Sequence, residues 1–378
     1  MKLSGLQENF KHGLFVIGRI AGKNINLPIL NNILIEASGG NIKMVATNLE
    51  IGATCLVRGK IEGEGAFTVD SKIISDYINL LPNTKVNMET ADNFLIIEAD
   101  NYKTKIVGQA ADDFPLIPVV DKNIFYSAEI SIFKKALSQV VFAVAINENR
   151  LELSGVLFNF NQNKLILAAT DSYRLAEKKI DIKTNSKNKE DQKIIIPAKT
   201  IQELIRILSG MREDDGAGAE EKEIKFYLSD NQILFTVGKI DLVSRVIEGQ
   251  YPDYKQIIPA TNKTRVIVNR AELTRAVKAS ALFSKTGIND LNLDFPRGKN
   301  EAVISAASGQ TGENTVILKA ETTGEDNGVV VNYRYLLDGL NNIDAENIGI
   351  EIVDANTPCI LRAEKESDYF YIIMPIRQ

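Results

Sequence analysis

His12 is the only histidine in 378 residues. Histidine is the commonest general base and a frequent metal ligand, so a Ser-His-Asp or Cys-His enzyme would have to be built on that single ring. Cys55 and Cys359 are the only cysteines, and they lack CxxC spacing and neighbouring histidines. Neither a zinc site nor a disulfide framework is supported, and both read as buried thiols. The segment most like an active site is ATDSYRLA (169–176), which clusters Asp171, Tyr173 and Arg174 where a strand runs into a turn. Catalysis there would need a nucleophile or base partner and a polar cleft. No second motif supplies them: GxxxxGK[ST], GxGxxG and HExxH are absent, and GKIEGEGAF (59–67) lacks the Lys-Ser/Thr ending of a phosphate loop. The segment therefore reads as structural or binding, with no catalytic residue, metal or cofactor expected.

The elements that must position these residues come three times. LSGLQENFKHGLFVIGRIA from Leu3, AEISIFKKALSQVVFAVA from Ala128 and VNRAELTRAVKASALFS from Val268 share a polar start and a helix-period apolar stripe. Strand-like runs follow each: LPILNNILIEA with NIKMVAT, LELSGVLFNF with KLILAAT, and INDLNLDF with AVISAAS. A second triple, AFTVDSKIISDYINLL, IIIPAKTIQELIRIL and VVVNYRYLLDGLNNI, reads as strand, cap and helix, with further strands KVNMET and FLIIEA, EIKFYL and ILFTVG, IGIEIV and CILRAE behind. Starts near 3, 128 and 268 set a period of 125 to 140 residues, so three α+β domains are expected at 1–122, 123–258 and 259–378. Both boundaries carry proline among polar residues, DDFPLIPVVDKN and GQYPDYKQIIPATNK, as linkers do. IKTNSKNKEDQ (182–192) and the acidic SGMREDDGAGAEEKE (209–223) have no apolar period and read as surface loops.

Charge is distributed unevenly along this pattern. The chain carries net charge -5, with 44 Lys+Arg against 49 Asp+Glu. The expected helices at 6–20, 71–82, 131–144, 198–209, 269–283 and 333–343 hold eleven cations and five carboxylates, a net +6, which leaves -11 for strands and loops. On the helix after Pro197, Ile201, Leu204, Ile205 and Leu208 form the buried stripe, while Lys199, Gln202 and Arg206 take the other side. Such helix faces offer cations to a phosphate backbone without an aromatic platform for bases. The N-terminal segment is interrupted by Glu8, Lys11 and Arg19 and lacks a signal-peptide h-region, and no apolar run reaches bilayer length, so a cytoplasmic protein without membrane contact is expected.

ATNLE (46–50), RLELSGVLF (150–158), ATDSYRLA (169–176), IEGQYPDYKQIIP (247–259) and the terminal YIIMPIRQ (371–378) complete the picture. In this order and spacing the chain resembles the bacterial DNA polymerase III beta subunit family, the replicative sliding clamps, along essentially its whole length. The resemblance implies a DNA-clamp fold, with two helices per domain packed on antiparallel sheets. It further implies that two chains form a head-to-tail homodimer, a six-domain ring whose helices line the hole. Its function would be a non-catalytic processivity factor that slides on duplex DNA without reading sequence. Its partners would be the DNA polymerase III alpha subunit, the clamp loader, other DNA polymerases and repair proteins.

The resemblance also implies sites. A peptide-binding pocket between domains two and three would use Leu153, Thr170, Ser172, Tyr173, Arg174 and Leu175. Pro252, Ile257 and Tyr335 would join it, with Ile372, Met374, Pro375 and Ile376 from the C-terminus. The family often has His where Tyr173 stands and a small residue where Ser172 does, so partner preference would differ here. DNA would be faced by Lys23, Asn24, Asn147, Arg150, Lys199 and Arg206, and the subunit interface would use Leu282 and Phe283 against the region of Ile106. Two other classes compete: an enzyme on a repeated α+β scaffold acting on an anionic metabolite, and a monomeric scaffold that binds only proteins.

Overall fold

The apolar stripes fold as six α-helices among the described residues of the computed structural model, which are 1–22, 25–146, 150–186, 191–211 and 222–377. The first repeat runs β1 (Lys2–Leu6), α1 (Gln7–Ile17), β2 (Asn32–Ser38), β3 (Asn41–Thr47), β4 (Ile51–Val57), β5 (Lys60–Gly63), β6 (Gly65–Asp70), α2 (Ser71–Leu80), β7 (Lys85–Ala91), β8 (Phe94–Ala99) and β9 (Tyr102–Gln109). The second runs β10 (Tyr126–Glu129), α3 (Ile130–Val141), β11 (Gly155–Asn161), β12 (Lys164–Thr170), β13 (Arg174–Asp181), β14 (Lys183–Thr184), β15 (Gln192–Pro197), α4 (Ala198–Ser209), β16 (Glu223–Leu228), β17 (Gln232–Val237) and β18 (Ile240–Arg245). The third has β19 (Thr264–Asn269), α5 (Arg270–Ala281), β20 (Asp290–Phe295), β21 (Glu301–Ser308), β22 (Gly312–Gly324), β23 (Asn327–Asn332), α6 (Tyr333–Asn342), β24 (Asn347–Ile352), β25 (Cys359–Ala363) and β26 (Tyr369–Ile373).

Side-chain caps start several helices where the sequence puts Asx residues. Asp70 accepts from the Ile73 amide, Asn269 from Ala271 and Glu272, and Asn332 from Arg334, which satisfies donors that the first turn leaves unpaired. The α+β class is as the sequence predicts, and all strand pairs are antiparallel. One departure lies in IKTNSKNKEDQ: residues 183–184 pair with β10, and Lys183 binds Glu223, so part of this loop is sheet. The acidic residues around Asp214 lie outside the described residues.

The chain divides into two compact units, Met1–Lys134 with Ile182–Lys189 and Lys199–Val246, and Lys135–Asp181 with Glu190–Ala198 and Ile247–Gln378. The first contains a 14-stranded sheet and the second a 12-stranded one. In each, one strand pair joins successive repeats: β4 with β18 in the first, β13 with β26 in the second. Gly52 faces Val243 in the one and Leu175 faces Ile372 in the other. A Cβ on Gly52 would stand 3.0 Å from Ile117 Cδ1, so glycine lets the linker side chain seat on the joint. Ile117 there packs against Val120, Tyr227, Leu234 and Val243, which makes the proline-rich linker part of a small core.

Candidate functional site

ATDSYRLA begins with a turn whose chemistry is local. Ser172 sits at φ 77°, a conformation that costs a non-glycine residue about 1 kcal/mol or more. Thr170 Oγ1 accepts from the Ser172 amide and donates to the Arg174 carbonyl, while Asp171 Oδ1 accepts from the amides of Tyr173 and Arg174. ATNLE in the first repeat makes the same turn. Leu49 has φ 75°, Thr47 Oγ1 bonds Leu49 and Ile51, and Asn48 Oδ1 accepts from Glu50 and Ile51. A turn that recurs where no enzyme-like cluster exists assigns Thr170 and Asp171 to holding backbone. The positions between also differ, Asn48-Leu49-Glu50 against Asp171-Ser172-Tyr173, and the last position is Ile51 in one and Arg174 in the other.

Arg174 is 8% exposed and fully engaged. Its Nε donates to Asp171 at 2.9 Å, Nη1 to Asp338 at 2.5 Å and Nη2 to the Phe142 carbonyl at 2.9 Å, and its plane lies 4.7 Å from the Tyr335 ring. Burial opposes its charge, but the Tyr371 hydroxyl, Asp171 and Asp338 more than offset that and hold the guanidinium above its ordinary value. It therefore ties β13, the residue after α3 and α6 into one rigid corner. Gly339 allows this approach of α6, because a Cβ there would lie 2.4 Å from the Tyr371 ring.

Below the corner is an apolar floor. Leu175 and Ile372 are fully buried with Leu157, Ala168, Ile195, Tyr254, Ile360 and Phe370, and Ile247, Tyr251 and Ile258 pack on them. Tyr254 donates to Glu177 at 2.6 Å, and burial followed by that carboxylate pushes its hydroxyl far above the ordinary phenol range. Leu153 is 2% exposed and also belongs to the core. The accessible rim is different: Tyr173 is 64% exposed and Ile257 38%, while Pro252, Tyr335, Met374, Pro375 and Ile376 are half-buried. The Met374 amide donates to the Tyr173 carbonyl, fixing the C-terminal strand to the turn. Tyr251, Tyr254 and Asp338 are the members that sequence reasoning missed. The two tyrosines sit three apart in a proline-containing segment, a signal of linker packing, whereas nothing local marks Asp338 as a partner of Arg174.

The residues expected to face DNA separate. Lys23, Asn24 and Asn147 lie outside the described residues. Arg150 binds Glu152 at 3.0 Å and reaches Ser172 Oγ at 3.2 Å, which brings it to the rim of the turn. Lys199 is exposed on α4, as are Lys11, Lys72, Arg275 and Lys278 on their helices, and Arg19 is exposed in the turn after α1 rather than in the helix expected to reach residue 20. Arg206 departs from the expected free cationic face. It donates to the carbonyls of Phe15 and Val16 at 2.6 and 2.8 Å, pairs with Glu203 at 2.7 Å and stacks on Phe15 at 4.7 Å, with its side chain 13% exposed. A cation on the last carbonyls of a helix is favoured by the dipole, so Arg206 is a clasp on α1. At the expected interface, Leu282 is 73% exposed and Phe283 half-buried, but Ile106 is 5% exposed and belongs to its own core. Side chains alternate along β9, and those facing out beside it are Lys105 and Val107.

Models of one protein family match the whole course of the chain: the DNA polymerase III beta subunit N-terminal domain at residues 4–118, its central domain at 128–253 and its C-terminal domain at 255–377. The beta sliding clamp of Staphylococcus epidermidis is 28% identical over 361 residues, 93% of this chain and 92% of that protein. The crystal structure of the DNA polymerase III beta subunit of Thermotoga maritima is 27% identical, with TM-score 0.91 over 100% of this chain and 99% of that one. A sliding clamp of Pseudomonas aeruginosa bound to griselimycin is 25% identical, with TM-score 0.91 and 100% of both chains covered. With three domain models in order and relatives aligned end to end, the chain belongs to the DNA polymerase III beta subunit family, the beta sliding clamps.

Proposed function

We propose that two copies of this chain close head to tail into a ring around duplex DNA and act as the processivity factor of replication. The domains are 1–122, 123–258 and 259–378. The observation that carries this reading is an unfinished repeat. The chain makes the same strand joint twice, β4 with β18 and β13 with β26, and the corresponding third halves, β9 and β22, keep one edge open over residues 102–107 and 312–319. Open edges are templates for another chain, and a head-to-tail joint closes when the second copy returns to the first.

Attachment to DNA is then topological and needs no catalysis. Lys11, Arg19, Lys72, Lys199, Arg275 and Lys278 face the backbone as mobile contacts. Partner peptides from the polymerase, the clamp loader and repair factors seat on the rim of Pro252, Tyr335, Met374, Pro375 and Ile376, above the buried floor of Leu175 and Ile372. Adaptable Met and aliphatic surface suits differing apolar anchors. Among the described residues no helix is long and apolar enough to cross a membrane, and a replication factor of this kind works in the cytoplasm at the nucleoid.

Scattering coupled to size exclusion tests the assembly. A mass of about twice 41.8 kDa with a hollow distance distribution is expected. A monomer at micromolar concentration removes encirclement. Retention after loading on nicked circular DNA, with escape once it is linearised, is the functional readout, and equal retention on both forms would sink the topological mechanism.

A further inference from the structure

The two strand joints inside the chain share a register but not a filling. Ile51 and Arg174, which end the two matching turns, lie opposite Ser244 and Ile373. Four residues further along each strand, Cys55 lies opposite Ile240 and Lys178 opposite Tyr369. The backbone then leaves both joints alike, with the Leu56 amide donating to the Lys239 carbonyl and the Lys179 amide to the Asp368 carbonyl. Lys239 and Asp368 therefore correspond as well.

In the second joint these positions are spent on packing. Lys178 and Tyr369 are both buried; the lysine pairs with Asp368 at 2.6 Å, and the tyrosine hydroxyl donates to the Gln139 carbonyl on α3. In the first joint the shorter Cys55 and Ile240 stand in their place, and a cavity of about 360 Å³ lies between them and the start of α1. Its floor is Cys55, Val57 and Ile240, all buried. Its mouth has two exposed cations, Arg58 and Lys239, against the one carboxylate of Glu8. Asn9 Nδ2 donates to the Arg58 carbonyl at 3.2 Å, which ties the first turn of α1 to the end of β4 and holds the cavity open in the chain as it stands.

We propose that this cavity is a second docking site, which receives the aromatic side chain of an acidic segment of a partner protein. A ring buries a large apolar area while fixing only two torsions, and a ring is what the chain itself places at the corresponding position of the second joint. The mouth selects what flanks it. Two cations to one carboxylate, on a chain of net charge -5, favour acidic residues on either side of the ring. The cavity shares no residue with the rim around Met374, and it lies at the end of β4 remote from the ATNLE turn.

Calorimetric titration of the full-length chain with the acetylated, amidated peptide Glu-Asp-Tyr-Asp-Glu is expected to show one site per chain, with Glu-Asp-Ala-Asp-Glu at least about tenfold weaker. Lys239→Glu, in the exposed turn between β17 and β18, is expected to weaken the tyrosine peptide at least about fivefold. Cys55→Lys with Lys239→Asp and Ile240→Tyr rebuilds the trio of the second joint and is expected to abolish binding, while Met374→Ala on the rim leaves it unchanged. Absence of binding up to about 1 mM overturns the proposal, as does wild-type affinity in Lys239→Glu, and both results stand even where the triple variant fails to fold. Equal binding of the tyrosine and alanine peptides means charge attraction without the cavity and rejects it. Loss of binding in Met374→Ala puts the peptide on the rim instead. N-acetyltyrosinamide bound as tightly as the peptide makes the cavity a small-molecule site and removes the docking partner.

Discussion

Arg174 shows how a surface-looking motif is spent on structure. A guanidinium with three anchored donors and two aromatic faces cannot be swapped for a lysine, which offers one compact charge. Arg174→Ala leaves Asp171, Asp338 and the Phe142 carbonyl without their partner. It should cost about 3 kcal/mol of stability, because one side of a buried pair is removed; a chemical-denaturation midpoint within error of wild type would refute this. Cys359 supplies a pH-dependent test at the same scale. Burial, with Glu351 adding to it, raises its thiol from 9.0 to about 12. Above pH 9 the unfolded thiol ionises while the folded one keeps its proton, so its contribution falls by about 1.4 kcal/mol per pH unit toward pH 12 and is intact below pH 9. Cys359 should accordingly resist thiol reagents at pH 8 until the protein unfolds, and labelling at the rate of a free thiol would contradict its burial.

At the scale of elements, arginines on carbonyls that end a helix hold helices in place, between repeats for Arg206 and within the second repeat for Arg174. Arg206 clasps Phe15 and Val16 at the end of α1, and Arg174 takes Phe142 after α3. Two cations on one helix therefore have separable roles. Arg206→Ala should lower stability by about 2 kcal/mol, as expected for a partly buried ion pair and helix-end contact, whereas Lys199→Ala should leave the melting temperature unchanged and weaken binding to short linear duplexes. Calorimetry beside binding to short linear duplexes separates the two; a stable Arg206→Ala would mean the clasp contributes nothing.

The whole molecule is negative yet presents exposed cations on its helices, so binding to DNA should depend on salt while topological retention should not. Binding to short linear duplexes is expected to weaken steeply with salt, with slope set by the number of phosphates neutralised, while loaded clamps stay on closed circles at the same salt. Equal salt sensitivity of the two would argue against encirclement.

The repeat, the six helices, the α+β class and the absence of enzyme motifs were legible in the chain because apolar period and turn residues are local properties. Arg174, Leu175 and Ile372 were legible only through family resemblance. The strands that join the repeats were not legible from pattern. Arg174–Asp181 carries five charged residues in eight yet buries Glu177 and Lys178, because Tyr254 from the linker, Lys179 on the same strand and Asp368 just before β26 satisfy them. Tyr102–Gln109 looks polar and, among the described residues, has one edge without a strand partner over 102–107. The fate of each cation was likewise decided by tertiary structure. Lys199 and Arg206 occupy one helix face in sequence, but only Arg206 lies within reach of the end of α1. A local pattern specifies which face of an element is apolar; which charged side chain becomes a clasp depends on what the fold carries to within 3 Å of it.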